Sequence, residues 1–143
     1  GDVYKRQPYS DLPTWLDEGL AMYAEGEPEP ELEAYLGWAT AEDILFTVRS
    51  LASPFSAIGG QASLAYAQSY SLVEFLISEY GQGKMLELLT TFRQGSSYDG
   101  ALLEVYGFDM DGLNTLWRDY IEQRYQEATV PTTMLPVPIG YLS

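Results

Sequence analysis

Apolar residues recur every three to four positions along most of the chain, and Gly or Pro punctuates the runs. Leu12, Leu16, Leu20 and Tyr23 follow that spacing up to Gly26. Asp11 can cap the run and Pro13 suits a first turn, so a first helix is predicted over 11–26. The acidic turn Glu27-Pro28-Glu29-Pro30 ends it, and Leu32, Tyr35 and Leu36 predict a short helix over 29–38. Thr40, with Asp43 three residues later, has the form of a weak capping box and predicts a further short turn over 41–46. Pro54, Gly59 and Gly60 mark 47–60 as a loop or a brief extended segment.

The clearest periodicity is that of Tyr66, Tyr70, Val73, Ile77 and Tyr80, which predicts a long helix over 61–80 stopped by Gly81. Met85, Leu88, Leu89 and Phe92 predict another over 84–93, ended by Gly95. Ser96 or Ser97 then starts a short helix through Tyr106. Asp109 caps a last one carrying Leu113, Leu116, Trp117, Tyr120 and Ile121. Beyond Ala128, Pro131, Pro136 and Pro138 predict an extended linker or tail over 128–143. The expected fold is all-α, a bundle of about five to six helices with no solenoid repeat.

At 143 residues the chain suits one domain with its own core. Twenty-one acidic residues against seven basic give a net charge of −14, which repels phosphate backbones and anionic lipid. Nucleic acid is thereby excluded as a partner, and the visible chain offers no membrane contact. The longest strongly apolar stretch, 71–77, is interrupted by Glu74 and is far shorter than the roughly 20 residues of a spanning helix. With no cysteine there are no disulfides or thiolate metal sites, a composition equally at home in the cytosol and in a bacterial exported protein. With no histidine, the commonest metal ligand and general base is also missing.

Residues 1–7 carry Lys5 and Arg6, two of the seven basic residues, and differ in character from the remainder of the chain. Asp2-Val3-Tyr4-Lys5-Arg6-Gln7 resembles the read-through translation of a transposon end used to prepare sequencing libraries, a scar found at the broken start of metagenomic genes. The expected division is therefore a scar over 1–7, a domain over 8–127 and the tail over 128–143.

One residue on the first helix invites chemistry. Glu18 lies between Trp15 one turn before and Ala21 and Met22 one turn after, so its carboxylate projects from an otherwise apolar face. Such a carboxylate takes up a proton, pairs with Arg or Lys, stays partly exposed, or binds a metal. The string Trp15-Leu16-Asp17-Glu18-Gly19-Leu20-Ala21 resembles the downstream motif of the gluzincins, the thermolysin and aminopeptidase group of the peptidase MA-like zinc metallopeptidases.

In that family an upstream His-Glu-x-x-His helix supplies two zinc ligands and a general base, and the Glu of the second motif is the third ligand. The resemblance thus implies Glu18 as a metal ligand, zinc in the intact parent protein, and peptide-bond hydrolysis by metal-activated water on a peptide or protein substrate. Only Pro8 to Asp17 precede Glu18 once the scar is set aside. The histidine motif, with the N-terminal part of the same domain, is therefore expected to lie off the broken start. The fragment alone is expected to bind no zinc and to be inactive.

Tyr66, followed by Ala67-Gln68-Ser69-Tyr70-Ser71-Leu72-Val73-Glu74-Phe75-Leu76, resembles the tyrosine that opens a long helix in metalloaminopeptidases. Its phenol there donates to the oxyanion of the tetrahedral intermediate, which implies a catalytic role for Tyr66. Core packing with a hydrogen-bonded phenol is the competing reading for this one of twelve tyrosines, and Tyr70 is assigned to packing. Tyr80-Gly81, Lys84-Met85, Gly95-Ser96-Ser97, Val105-Tyr106-Gly107 and Leu116-Trp117-Arg118 extend the resemblance across the C-terminal helices as packing signals, with Trp15 and Trp117 as core anchors.

The acidic run Glu25, Glu27, Glu29, Glu31 and Glu33 reads as a solvated face, and Asp109-Met110-Asp111-Gly112 as a helix start. The alternative function is a noncatalytic acidic helical module that binds another protein. An ion pair between Glu18 and Arg49 would favour it. The tail resembles spacers of exported bacterial domains, which is consistent with an extracytoplasmic or cell-surface location.

Overall fold

The computed structural model describes residues 12–26, 28–58 and 61–134. Among them the architecture is helical throughout: α1 (Thr14–Glu25), α2 (Pro30–Glu42), α3 (Ala62–Tyr80), α4 (Gln82–Arg93), α5 (Tyr98–Tyr106) and α6 (Met110–Met134), with two 3-10 turns, Ser50–Ala52 and Phe55–Ile58, between α2 and α3. No helix of the described residues is long and apolar enough to cross a membrane. The segment 1–11 and the end of the tail, 135–143, lie outside the described residues, and with them Asp11 and its capping role.

The expected stripe on α3 understates that helix. Leu64, Ala65, Leu72, Val73 and Leu76 are fully buried, and so are the polar Gln68 and Ser69. Burial therefore runs around most of its circumference, because Ala65, Ala67, Ser69 and Ser71 are small enough to let neighbours approach from the sides that periodicity marks as polar. α3 is the central post of the domain, with α1, α2, α4 and α6 against it. Trp15, Phe92, Leu113, Trp117 and Ile121, all without exposure, complete the core around it. The two tryptophans are core anchors, as expected.

Gly81 joins α3 to α4 with almost no connecting chain. Its φ of 93° ends one helix, its amide donating to the Ile77 carbonyl, and the next helix begins one residue later. The Ser97 hydroxyl accepts from the Gly100 amide at 3.0 Å and starts α5. The Asp109 carboxylate accepts from the Gly112 amide at 2.9 Å and starts α6.

Two predicted boundaries are corrected. A single helix, α2, runs through the predicted helix over 29–38 and on to Glu42, and the separate turn over 41–46 does not form: residues 44–46 are not helical. The Thr40 hydroxyl donates back to the Leu36 carbonyl at 2.7 Å and so caps nothing. The helix instead ends at Asp43, whose φ of 59° is left-handed. At the other end of the chain, α6 runs past Ala128 and through Pro131 to Met134, where an extended tail was expected. Lengthening an established helix gains one hydrogen bond for each added residue with an amide N–H, which Pro131 lacks.

Candidate functional site

α1 meets α3 at a glycine. An ideal Cβ on Gly19 would collide with the backbone carbonyl of Ser69 and lie 2.6 Å from Val73 Cγ2, so only a residue without a side chain fits this crossing. The contact fixes the height and rotation of α1 against the post. Further along, the rings of Tyr23 and Tyr70 lie 6.2 Å apart, and Tyr70 is buried as its assignment to packing required. The start of α1 is tied down separately, by the Thr14 hydroxyl donating to the Ala52 carbonyl at 3.0 Å.

This seating determines where the carboxylates go. Trp15, Leu16 and Gly19 form the buried arc of α1, while Asp17 and Glu18 are half-buried at its margin. Glu18 is less enclosed than its sequence neighbours implied, because Ala21, one turn on, is exposed and Met22 is only half-buried. A position next to Gly19 is turned about 100° from it around the axis, away from the tightest contact. Burial still pushes both carboxyls above their usual range, and the charge of Asp17 pushes Glu18 further. No cation pairs with Glu18 among the described residues. Arg49, the partner expected for a noncatalytic module, instead bridges Asp99 and Asp111, each at 3.2 Å.

Tyr66 lies two turns before Val73 on the side of α3 that receives α1. It is 36% exposed, its ring edge rests against Phe55 with centroids 5.1 Å apart, and its hydroxyl has no hydrogen-bond partner among the described residues. Tyr66 is thus not the buried, hydrogen-bonded core tyrosine of the packing reading. Glu18 thus lies on α1 next to the Gly19 crossing, and Tyr66 lies on α3, the helix that Gly19 meets. Neither lines the grooves between α2 and α6 or between α4 and α5.

A zinc site can be tested against the donors present. Glu18 supplies one carboxylate of suitable chemistry, half-buried and unpaired among the described residues. No group of three or more His, Cys, Asp or Glu able to hold a metal occurs among those residues. The described residues thus supply no complete metal site of their own.

Sequence reading missed the side chains that hold the segment between α2 and the first 3-10 turn. Gln68 is fully buried and clamps the Phe46 backbone from both sides, Oε1 accepting from the amide and Nε2 donating to the carbonyl, each at 2.9 Å. Asn114 Oδ1 accepts from the Val48 amide at 3.0 Å, and an Arg118 amino group donates to the Leu45 carbonyl at 3.0 Å. Backbone groups of Leu45, Phe46 and Val48, in a stretch that forms no helix, are thereby satisfied by side chains from α3 and α6. The one signal in the sequence was a glutamine inside an otherwise small and apolar stretch. The acidic run is mostly exposed at Glu25, Glu29 and Glu31, whereas Glu33 accepts from the Tyr125 hydroxyl at 2.9 Å and pairs with Arg124 at 3.5 Å.

A family model described as the peptidase MA superfamily matches residues 3–123, and the chain belongs to that superfamily. Among curated proteins and among solved structures, none matches the chain.

Proposed function

We propose that the domain is the C-terminal helical part of a gluzincin-type zinc peptidase, in which Glu18 is the third zinc ligand and Tyr66 the oxyanion donor. The observation that carries this reading is a half-buried carboxylate held at a defined height by the Gly19 crossing, without a cation among the described residues to neutralise it. Partial burial disfavours its ionised form, a cost that a bound cation would offset. Membership of the peptidase MA superfamily supports the same reading.

Within it, each residue has a task. Gly19 lets α1 approach α3 closely, Trp15 and Leu16 lock the helix against rotation, and Glu18 presents its oxygens next to that crossing. The Tyr66 hydroxyl is an O–H donor on the neighbouring helix, suited to a carbonyl oxygen as negative charge develops on it. Zinc at this place would supply Lewis-acid polarisation of a peptide carbonyl and activation of water. The sequence has no histidine, so the two remaining protein ligands belong to an upstream segment of the parent protein, and this chain by itself is inactive. Reading the coding region upstream of Pro8 tests the proposal. A His-Glu-x-x-His motif is expected within about thirty codons, and an intact reading frame without one would end it.

A further inference from the structure

α2 and α6 enclose a groove of about 580 Å³, lined among others by Glu33, Gly37, Trp38, Glu122 and Tyr125. Its size lies in the ordinary range for small-molecule and side-chain pockets. The floor is built by close approach, since a Cβ on Gly37 would lie 3.1 Å from the Tyr125 ring. Trp38 forms a wall, 54% exposed, with its other side against Tyr35 at 6.0 Å between centroids. A large aromatic surface left in water beside a built cavity is the arrangement of a recognition pocket.

Charge decides what fits. Glu33 and Glu122 are the charged residues in the lining, and no basic residue is among them. Glu122 is exposed and pairs with no cation among the described residues, and the chain as a whole carries −14. On the neighbouring side of Glu33 the protein makes the complementary contact with its own residues: the Arg124 guanidinium stands 6.0 Å from the Tyr125 ring centroid and 3.5 Å from the Glu33 carboxylate. Trp38 and Glu122 offer the same pair of surfaces, an aromatic face and a carboxylate, with the cation left to be supplied.

We infer that the α2–α6 groove is a docking site for a Lys- or Arg-bearing peptide segment, whose cation stacks on the Trp38 indole and pairs with Glu122. The site is distinct from Glu18 and Tyr66 and stands whether or not those residues serve catalysis. Trp15 and Trp117 are fully buried, so ligand-induced change in tryptophan emission reports on Trp38.

The test is calorimetric and fluorescence titration of the chain with tetra-arginine amide, with tetra-serine amide as the neutral counterpart. Glu79→Gln serves as a charge-matched control at an exposed carboxylate on α3. Saturable binding of tetra-arginine with a change in emission is expected, weakened about five-fold by Trp38→Ala and by Glu122→Gln and unchanged by Glu79→Gln. Circular dichroism confirms that each variant folds; should Trp38→Ala fail to, Glu122→Gln and Glu122→Lys decide. Equal weakening by Glu122→Gln and Glu79→Gln would mean diffuse attraction to an acidic surface and overturn the inference. So would absence of binding, or a concentration-dependent dimer that covers Trp38.

Discussion

Gly19 sits against the carbonyl of Ser69 with no room for a methyl group between them. The carbonyl belongs to the backbone of the central helix and cannot move aside as a side-chain tip can. Gly19→Ala is therefore expected to lower unfolding stability by about 1–3 kcal/mol, although alanine favours helix over glycine by about 1 kcal/mol in an open position. Urea denaturation of the two proteins measures this. An unchanged or raised midpoint would show that the helices do not meet as described.

Behind that crossing, the buried Trp117 indole donates to the Ser71 hydroxyl at 3.0 Å. Ser71→Ala removes the acceptor and leaves a buried N–H, so a loss of about 1–3 kcal/mol is expected. Trp117→Phe in the same background should make the Ser71 substitution nearly silent, because the donor is then gone. A double-mutant cycle reads the coupling directly, and independent, additive effects would contradict the bond.

The Gln68 clamp on Phe46 predicts a local effect. Gln68→Leu keeps the volume but leaves an amide and a carbonyl of the intervening segment without partners. Hydrogen exchange at the Phe46 amide should accelerate at least ten-fold, corresponding to about 1.4 kcal/mol of lost local stability, while amides in α4 keep their protection. Uniform acceleration across the chain would point to global destabilisation instead.

Alkaline pH probes two phenols. Burial, first of all, raises the pKa of both Tyr106 and Tyr125, and the hydrogen bond to Glu33 raises Tyr125 further. In the unfolded chain these tyrosines ionise near their ordinary value of 10.0, while the folded protein keeps them protonated. The folded state binds more protons in that window, so stability is full below pH about 10 and falls as pH rises above it. Tyr125→Phe should flatten that fall in a pH series of thermal midpoints. An unaltered slope would contradict the burial of this phenol.

These elements show where periodicity is informative and where it stops. The starts at Ser97 and Asp109 and the stop at Gly81 were legible because capping is local chemistry, carried by one or two residues. The core roles of Trp15 and Trp117 were legible from size and spacing. The burial of Gln68 was not, because its partner is the backbone of a residue far away in sequence, and no pattern along the chain encodes that pairing. α2 was misread for a different, local reason: Thr40 and Asp43 carry capping-box residue types, but the Thr40 hydroxyl donates to the Leu36 carbonyl one turn back instead. At the site, the sequence motif singled out Glu18 and Tyr66. That the first is held by a glycine crossing, and the second is half-exposed rather than packed away, depended on how α1 and α3 come together.

The most direct measurement is the zinc content of the parent protein expressed with its upstream segment, compared with its Glu18→Gln variant. Elemental analysis after dialysis is expected to find one zinc per chain in the parent and loss of most of it in the variant, with the fold intact by circular dichroism. Equal zinc in both proteins, or none in the parent, would contradict the role given to Glu18.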